Sequence, residues 1–149
     1  MIEFRTARRE DVAEVVALLA DDVLGAAREA GDLAPYLAAF DHMAGEAGNT
    51  LIVGTDAAGG VIATYQITFI IGLSLRAARR AQIESVRVAG SMRGQGIGRQ
   101  MFADAIARAR NEGCALVQLT MNAQRADANR FYESLGFVPS HTGFKLALS

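Results

Sequence analysis

The sequence predicts one α/β domain over residues 1–149, with a mixed sheet of six to seven strands flanked by about four helices. Segments with two-residue apolar alternation, typical of strands, lie between segments whose apolar residues recur every three or four positions, typical of helices. A chain of 149 residues can bury one core, and we find no repeat or linker that divides it. The predicted element order is β-α-α-β-β-β-α-β-α-β-β.

The first quarter of the chain predicts one strand and then helices. Ile2–Arg5 alternates charged and apolar residues and is predicted to be the first strand. The acidic pair at residues 10–11 suits the first turn of the following helix, whose dipole favours carboxylates there. Residues 21–48 are alanine-rich but are interrupted by Gly31 and Pro35, which predicts two short helices with a break.

The middle of the chain predicts three strands. Thr50–Gly54 and Val61–Leu73 flank a turn at Asp56–Gly60, and this spacing is typical of a hairpin. Gln82–Val88 is the next predicted strand. Three arginines crowd the turn before it, at positions 76, 79 and 80. A solvated turn explains such a cluster, and binding of an acidic substrate or of a phosphate group of a cofactor is the alternative.

The last third begins with a glycine-rich turn, Gly94–Gly98, that opens a helix ending before Gly113. The helix is predicted to bury four residues spaced four apart: Ile97, Met101, Ala105 and Ala109. Ala115–Thr120 is a predicted strand and Ala128–Leu135 a predicted helix, stopped by Gly136. Two short strands are predicted at the end of the chain, Phe137-Val138 and Phe144–Leu148.

Composition narrows the functional classes. About half of the residues are apolar, and the net charge is −1, so no overall field favours nucleic acid. The longest apolar stretch, Val61–Leu75, is shorter than the ~20 residues that span a bilayer. One cysteine, Cys114, allows no internal disulfide and no cysteine cluster for a metal. With no signal-peptide pattern at the N-terminus, we expect a cytoplasmic protein without a metal or a membrane partner.

The glycine-rich turn has the composition of a phosphate-binding loop. Glycines allow positive φ angles and a close approach to the backbone, and the first N–H groups of the following helix attract an anion. Gly98 is followed by Arg99-Gln100, which excludes the Gly-Lys-Ser/Thr of a P-loop. The dinucleotide pattern also fails, because its last glycine spacing is wrong and no acidic residue lies in Gly113–Asn122.

The remaining pattern resembles a known family. The run Arg93-Gly94-Gln95-Gly96-Ile97-Gly98 resembles the Q/R-x-x-G-x-G/A signature of the GNAT superfamily of N-acetyltransferases. Ile83–Val88 resembles the fourth strand of that family, and Asp127–Phe137 resembles its last helix and the turn after it. The element order agrees over essentially the whole chain, so the resemblance implies a GNAT-like fold.

The resemblance implies a site for acetyl-CoA. The turn from Arg93 to Gly98, flanked by Arg99, would bind the pyrophosphate. The backbone groups of Val86 and Val88 would pair with the pantetheine arm, where the fourth strand diverges from the fifth. The N–H of Val86 or Arg87 is the candidate for polarising the acetyl carbonyl. Asn129 would bind the same arm, and an exposed helix asparagine is the alternative.

Two residues are candidates for proton transfer. Tyr132 matches the tyrosine that protonates the leaving thiolate in the family, and a core aromatic is the alternative. Glu84 is a candidate base or anchor for the amine, because a charge in a central strand is costly unless it is used or paired. The alternative is an ion pair with Arg5, Arg79 or Arg80. No nucleophilic side chain is needed, and Cys114 is predicted to pack as a small apolar residue.

The resemblance therefore implies direct transfer from acetyl-CoA to an amine through a ternary complex. A small-molecule acceptor is the main prediction, and a peptide or protein amine is the alternative within the class. A non-catalytic acetyl-CoA-binding regulatory module is the alternative from another class. Edge strands and the habit of the family suggest a homodimer.

Overall fold

The computed structural model describes residues 1–21, 31–123 and 126–149. The chain separates into two compact units, residues 1–118 and residues 119–149. Of the two helices predicted between residues 21 and 48, the second is present. The first falls almost entirely within residues 22–30 and lies outside the described residues.

The described elements follow the predicted order as far as the last helix. The strands are β1 (Glu3–Thr6), β2 (Asn49–Thr55), β3 (Val61–Ile71), β4 (Arg79–Val88) and β5 (Leu116–Leu119). The helices are α1 (Val12–Leu19), α2 (Ala34–Ala44), α3 (Ile97–Asn111) and α4 (Ala126–Ser134). Short helical turns occupy Arg9–Asp11, Ser74–Ala77 and Gly90–Met92.

The sheet has the order β1-β2-β3-β4-β5, and β1 to β4 pair antiparallel. At the other edge, the N–H of Ala115 donates to the carbonyl oxygen of Arg79 at 2.8 Å, and Gln118 donates to Gln82 at 2.7 Å. Residue numbers rise together along the two strands, so β5 runs parallel to β4. The predicted mixed sheet is confirmed.

The number of strands is lower than predicted, because the described residues form five strands rather than six to seven. Phe137-Val138 and Phe144–Leu148 have no strand structure. The strand at Phe144–Leu148 was predicted from apolar alternation, but the apolar residues of that segment, Phe144, Leu146 and Leu148, are 92%, 85% and 93% exposed. A strand needs a neighbour that pairs with its N–H and C=O groups, and the described residues 126–149 provide none.

The two faces of the sheet pack against different helices. Helix α3 packs on β3 and β4, and the largest side chains buried in this region are Tyr65, Phe102, Ile52, Ile67, Ile83 and Met101. Helices α1 and α2 lie against the opposite face, where Val15, Leu18 and Val53 form a second cluster with the half-buried Phe40. The predicted buried positions Ile97, Met101, Ala105 and Ala109 are confirmed.

A buried polar cluster fixes α3 on the sheet. The Tyr65 hydroxyl donates to Asp104, whose Oδ2 also accepts from Arg108 Nε at 2.8 Å. Arg108 Nη2 then reaches the carbonyl oxygen of Phe4 at 3.2 Å. Burial raises the pKa of Tyr65, as does the neighbouring carboxylate. The cluster ties α3 to β3 and β1, and α3 carries the glycine-rich turn at its N-terminus.

Candidate functional site

The glycine-rich turn leaves the N-terminus of α3 open. Gly94 and Gly96 have φ angles of 79° and 77°, and Gly96 is the residue that precedes the helix. Gly96 has no side chain that could cap α3, and within the described ranges no cap hydrogen bond forms there, so the first N–H groups of the helix are available to a ligand. No described atom lies within 4 Å of a Cβ built on either glycine. The arrangement is that of an anion-binding helix terminus with room above it.

The arginine at the start of this turn contacts the end of α1. Arg93 Nη2 donates to the carbonyl oxygen of Asp21 at 3.4 Å, while the carboxylate of Asp21 accepts from the N–H of Gly90 at 3.0 Å. Asp21 therefore joins the segment after α1 to the turn. Sequence reasoning missed this role, because the two positions are far apart in the chain. Arg99 is exposed in the first turn of α3.

Strand β4 contains a bulge directly after Glu84. Gln66 pairs with Glu84 and Thr64 pairs with Arg87, so Tyr65 opposes two residues, Ser85 and Val86. Ser85 has a φ of 54°, which is uncommon for a residue with a side chain. An extra residue with positive φ bends a strand and changes the direction of the residues after it. No glycine marks the position, so the sequence carried no signal for it.

The bulge separates two parts of β4. Before it, β4 is flanked by β3 and by β5, whose contacts within residues 1–118 reach from Arg79 to Gln82. After it, Arg87 and Val88 pair with β3 on one side. Within the described residues 1–118, no strand pairs with their other side. The bulge lies in the part of β4 where the resemblance predicts that the fourth and fifth strands diverge, and beyond it Arg87 Nη1 donates to the carbonyl oxygen of Val86 at 2.8 Å.

Glu84 lies in a central strand, as predicted, but it is exposed. The expectation that burial makes this charge costly is wrong: the side chain lies on the face opposite α3, and it is exposed there. The predicted ion pairs with Arg5 and Arg79 are also absent, since these residues bind Asp11 and Glu112. In the part of the chain that the structure describes, Glu84 forms no ion pair and is open to an incoming amine.

Polar side chains surround Glu84 on the same face of the sheet, and sequence reasoning missed them. Gln66 Nε2 donates to Asn49 Oδ1 at 2.9 Å, and Thr68 Oγ1 lies 3.4 Å from the same oxygen. On the far side of β4, Gln118 donates to Gln82. The alternation along β2 to β4 could have indicated this polar row, but only the register shows that its members are neighbours.

The last two predicted site residues lie on α4, in the unit of residues 119–149. Asn129 and Tyr132 are one turn apart, and both are half-buried. Asn129 Nδ2 donates to Glu133 Oε1 at 3.2 Å. The ring of Tyr132 makes edge contacts with Phe131 and Phe137, at centroid distances of 5.4 Å and 6.0 Å. These contacts hold the ring in place. They agree with both interpretations of Tyr132, a core aromatic residue and a proton donor whose hydroxyl has a fixed position.

Other site classes have little support in the described residues. No group of three or more His, Cys, Asp or Glu residues among them is arranged to hold a metal ion. None of the helices in the described ranges is long and apolar enough to cross a membrane. Burial raises the pKa of the Cys114 thiol, which disfavours the reactive thiolate.

Comparison with known proteins identifies relatives over the whole chain. A protein from Bacillus halodurans C-125 described as a transcriptional regulator is 41% identical, with a TM-score of 0.95, over 99% of this chain and 100% of that one. A protein from Agrobacterium tumefaciens C58 described as a candidate acetyltransferase is 30% identical, with a TM-score of 0.87, over 97% and 99%.

A curated relative matches a shorter segment. The aminoalkylphosphonate N-acetyltransferase of Salmonella typhimurium strain LT2 is 43% identical over 67 residues, which are 45% of this chain and 44% of that enzyme. The match therefore spans less than half of the relative.

A family model decides the assignment. The model of the acetyltransferase (GNAT) family matches residues 13–137, which include β4, the glycine-rich turn and α4. The chain therefore belongs to the GNAT family of acetyl-CoA-dependent acyltransferases.

Proposed function

We propose that the protein is an N-acetyltransferase that moves an acetyl group from acetyl-CoA directly to the amine of a small molecule, in a ternary complex. The observation that carries the proposal is the uncapped N-terminus of α3, preceded by two left-handed glycines, in the same unit as the bulge of β4. The first feature suits a pyrophosphate, and the second exposes one edge of Arg87 and Val88 to an extended ligand.

The transfer needs few protein groups. The neutral amine nitrogen attacks the thioester carbonyl carbon, the C–N bond forms and the C–S bond breaks. One proton leaves the nitrogen, one proton is added to the departing sulfur, and nothing is oxidised or reduced. Before the attack, Glu84 accepts a proton from the ammonium, directly or through water, and this gives the neutral amine. The proton lost on C–N bond formation passes to solvent, and Tyr132 supplies the proton that the sulfur receives. The N–H of Val86 or Arg87 polarises the carbonyl.

Pyrophosphate binding by the glycine-rich turn predicts a selective effect of Gly96→Ala. No atom of the described residues lies within 4 Å of the added Cβ, so the folding cost is backbone strain at φ 77°, about 1–2 kcal/mol. The same Cβ occupies the space above the uncapped N–H groups. We expect the Kd for acetyl-CoA, measured by calorimetry, to rise by about 10-fold or more, as for loss of a charge-assisted contact.

The matched control is Gly59→Ala in the β2–β3 hairpin. Gly59 has a φ of 86° and an equally open Cβ position, so the strain is the same. We expect a similar loss of stability and an unchanged Kd for acetyl-CoA. Equal Kd values in both variants would contradict pyrophosphate binding at this turn.

The proton-donor role predicts that Tyr132→Phe slows the reaction without disturbing the site. Phenylalanine keeps the ring contacts with Phe131 and Phe137 and removes only the hydroxyl. We expect kcat to fall by about 100-fold, the lower end for a general acid, because a thiolate is a fair leaving group. The Kd for acetyl-CoA should not change. A kcat within a factor of two of wild type would exclude the role.

The direct test of the function is turnover. Acetyl-CoA is mixed with amino acids, amino sugars, polyamines, aminoalkylphosphonates or peptides, and free thiol is measured. The aminoalkylphosphonates are included because a curated relative over part of the chain acts on them by its name. Transfer to a small amine supports the proposal, and transfer to peptides alone would favour the peptide or protein alternative.

A second candidate is a regulatory module that binds acetyl-CoA without transferring the acetyl group. The relative described as a transcriptional regulator, 41% identical over 99% of this chain, favours it. Tight binding of acetyl-CoA with no thiol release against any amine would support this candidate and exclude the enzyme.

Assembly and location belong to the same proposal. The family match spans both compact units, which supports one acetyltransferase domain over residues 1–149. We expect a cytoplasmic protein, and we expect a homodimer because the apolar residues Phe144, Leu146 and Leu148 are exposed and exposed apolar surface marks interfaces. Light scattering that gives the mass of one chain would exclude the dimer.

A further inference from the structure

The three arginines of the predicted cluster lie in three different environments, one in the turn before β4 and two at the start of that strand. Arg79 points to the α3 side, where it contacts Glu112 at 3.3 Å and lies over the ring of Phe69. Arg76 is exposed in the short helical turn. Arg80 pairs with Ile70 in the sheet register and points to the opposite face, the face of Gln82 and Glu84. Only Arg80 shares a surface with the candidate base.

This surface is a strip with opposite charges at its two ends. Along β4 it consists of Arg80, Gln82 and Glu84, two residues apart, and β3 contributes Thr68 and Gln66 beside them. Strands β2 and β5 hold the amides in place through Asn49 and Gln118. The neutral groups are therefore positioned before a ligand arrives, which lowers the cost of binding.

The two charges of the strip have no partner among the residues that the structure describes. Among the described residues, neither the Arg80 nor the Glu84 side chain forms a hydrogen bond or ion pair, although Arg80 is half-buried. Four residues of strand place their Cα atoms about 14 Å apart, at ~3.4 Å per residue. Both side chains can lean along the strand and shorten the gap. A ligand with an ammonium at one end and an anion at the other would satisfy both charges.

We infer that Arg80 is a specificity residue that binds the anionic end of the acceptor, while Glu84 receives its amine. This rests on the proposed function and narrows the acceptor to amines that carry a carboxylate, phosphonate or phosphate. Gln66, Thr68 and Gln82 hydrogen-bond polar groups of the chain between the two ends. An acceptor with a second cation would place like charges together at Arg80.

The test compares acceptors of matched length that differ only in the distal group. An ω-amino carboxylate, an ω-aminoalkylphosphonate, an ω-amino alcohol and an α,ω-diamine are assayed by thiol release, in series of increasing chain length. We expect the anionic amines to have the lowest KM. The KM values of the amino carboxylate and the aminoalkylphosphonate then show which of the two anionic groups the site prefers.

Arg80→Gln should raise the KM for the anionic amines by about 10- to 100-fold, the range for one hydrogen bond to a charged group. The kcat values, the KM for the amino alcohol and the Kd for acetyl-CoA should stay unchanged. Arg80→Glu should shift the preference to the diamine, a gain that a misfolded variant cannot produce. The matched control is Arg110→Gln, the same charge change at an exposed position of α3.

Two failures are distinguishable. If acetyl-CoA releases no free thiol with any of the amines, the proposed function is wrong, and the assignment of Arg80 is wrong with it. If transfer occurs but anionic and neutral amines have equal KM values, or Arg80→Gln affects both alike, the assignment of Arg80 is wrong and the acetyltransferase function stands.

Discussion

Glu84→Gln is expected to lower kcat/KM for acetyl transfer by about 100- to 1,000-fold, within the range of general base catalysis. An amine with a pKa near that of lysine, ~10.4, is almost wholly protonated at neutral pH. Glutamine keeps the shape of the side chain but cannot accept the proton or attract the cation. Because Glu84 is exposed, its replacement should leave folding and the Kd for acetyl-CoA unchanged.

The pH profile separates this role from a structural one. If Glu84 activates the amine, the variant should recover part of its rate at high pH, where more of the amine is neutral. Glu10→Gln, the same change at an exposed site in the turn before α1, should behave as wild type. Turnover of Glu84→Gln near that of wild type between about pH 6 and pH 9 would exclude the base role.

Asp11→Asn is expected to lower the free energy of unfolding by about 2–4 kcal/mol. The Asp11 side chain is only 7% exposed, and its carboxylate accepts from Arg5 at 2.7 Å and 3.0 Å and from the N–H of Arg8 at 2.7 Å. These bonds join the end of β1 to the start of α1. The amide of asparagine would place N–H groups against the Arg5 guanidinium, so a partly buried cation would lose its partner.

The same contact predicts how stability depends on pH. The hydrogen bond from Arg5 lowers the pKa of Asp11 in the folded state below its ordinary value of 3.8. The unfolded state therefore binds a proton first as the pH falls. The stabilisation is fully present above about pH 5 and is lost progressively below about pH 4. Urea titrations at several pH values should show this loss in the wild type. In Asp11→Asn the free energy of unfolding should fall less steeply as the pH is lowered.

The control for Asp11 is Asp41→Asn. Asp41 contacts Arg9 at 3.1 Å, but its side chain is 54% exposed and that of Arg9 is 60% exposed. Water screens such a pair, so the change should cost at most about 1 kcal/mol. Equal effects of Asp11→Asn and Asp41→Asn would contradict a special contribution of the buried carboxylate.

Local chemistry made much of the fold and the donor site predictable. Positive φ at Gly94 and Gly96, and the helix that begins at Ile97, follow from the spacing of glycines and apolar residues. The strands β2 to β4 follow from alternation and from the turn at residues 56–60. Each of these features depends on residues close together in the chain, so the sequence contains their cause.

Other features depend on neighbours that are distant in the chain. Alternation at Phe144–Leu148 predicted a strand, but pairing requires a second strand, and the described residues 126–149 supply none. The bulge at Ser85 arises from the register of β3 against β4, which no local pattern encodes. The position of Glu84 on the face opposite α3 follows from the side of the sheet on which that helix packs.

The sequence by itself determined the family, the glycine-rich turn before α3 and the identity of Glu84 and Tyr132 as candidates, because motif and periodicity are local properties. The tertiary structure decided which side chains surround Glu84. In the folded sheet Arg79 lies on the α3 side and Arg80 on the opposite side, although the two residues are adjacent in the chain. Successive residues of a strand point to opposite faces of the sheet. Only when the sheet forms, therefore, does one arginine of the cluster contact Glu112 at the end of α3 while the other lies on the same face as Glu84, the candidate base.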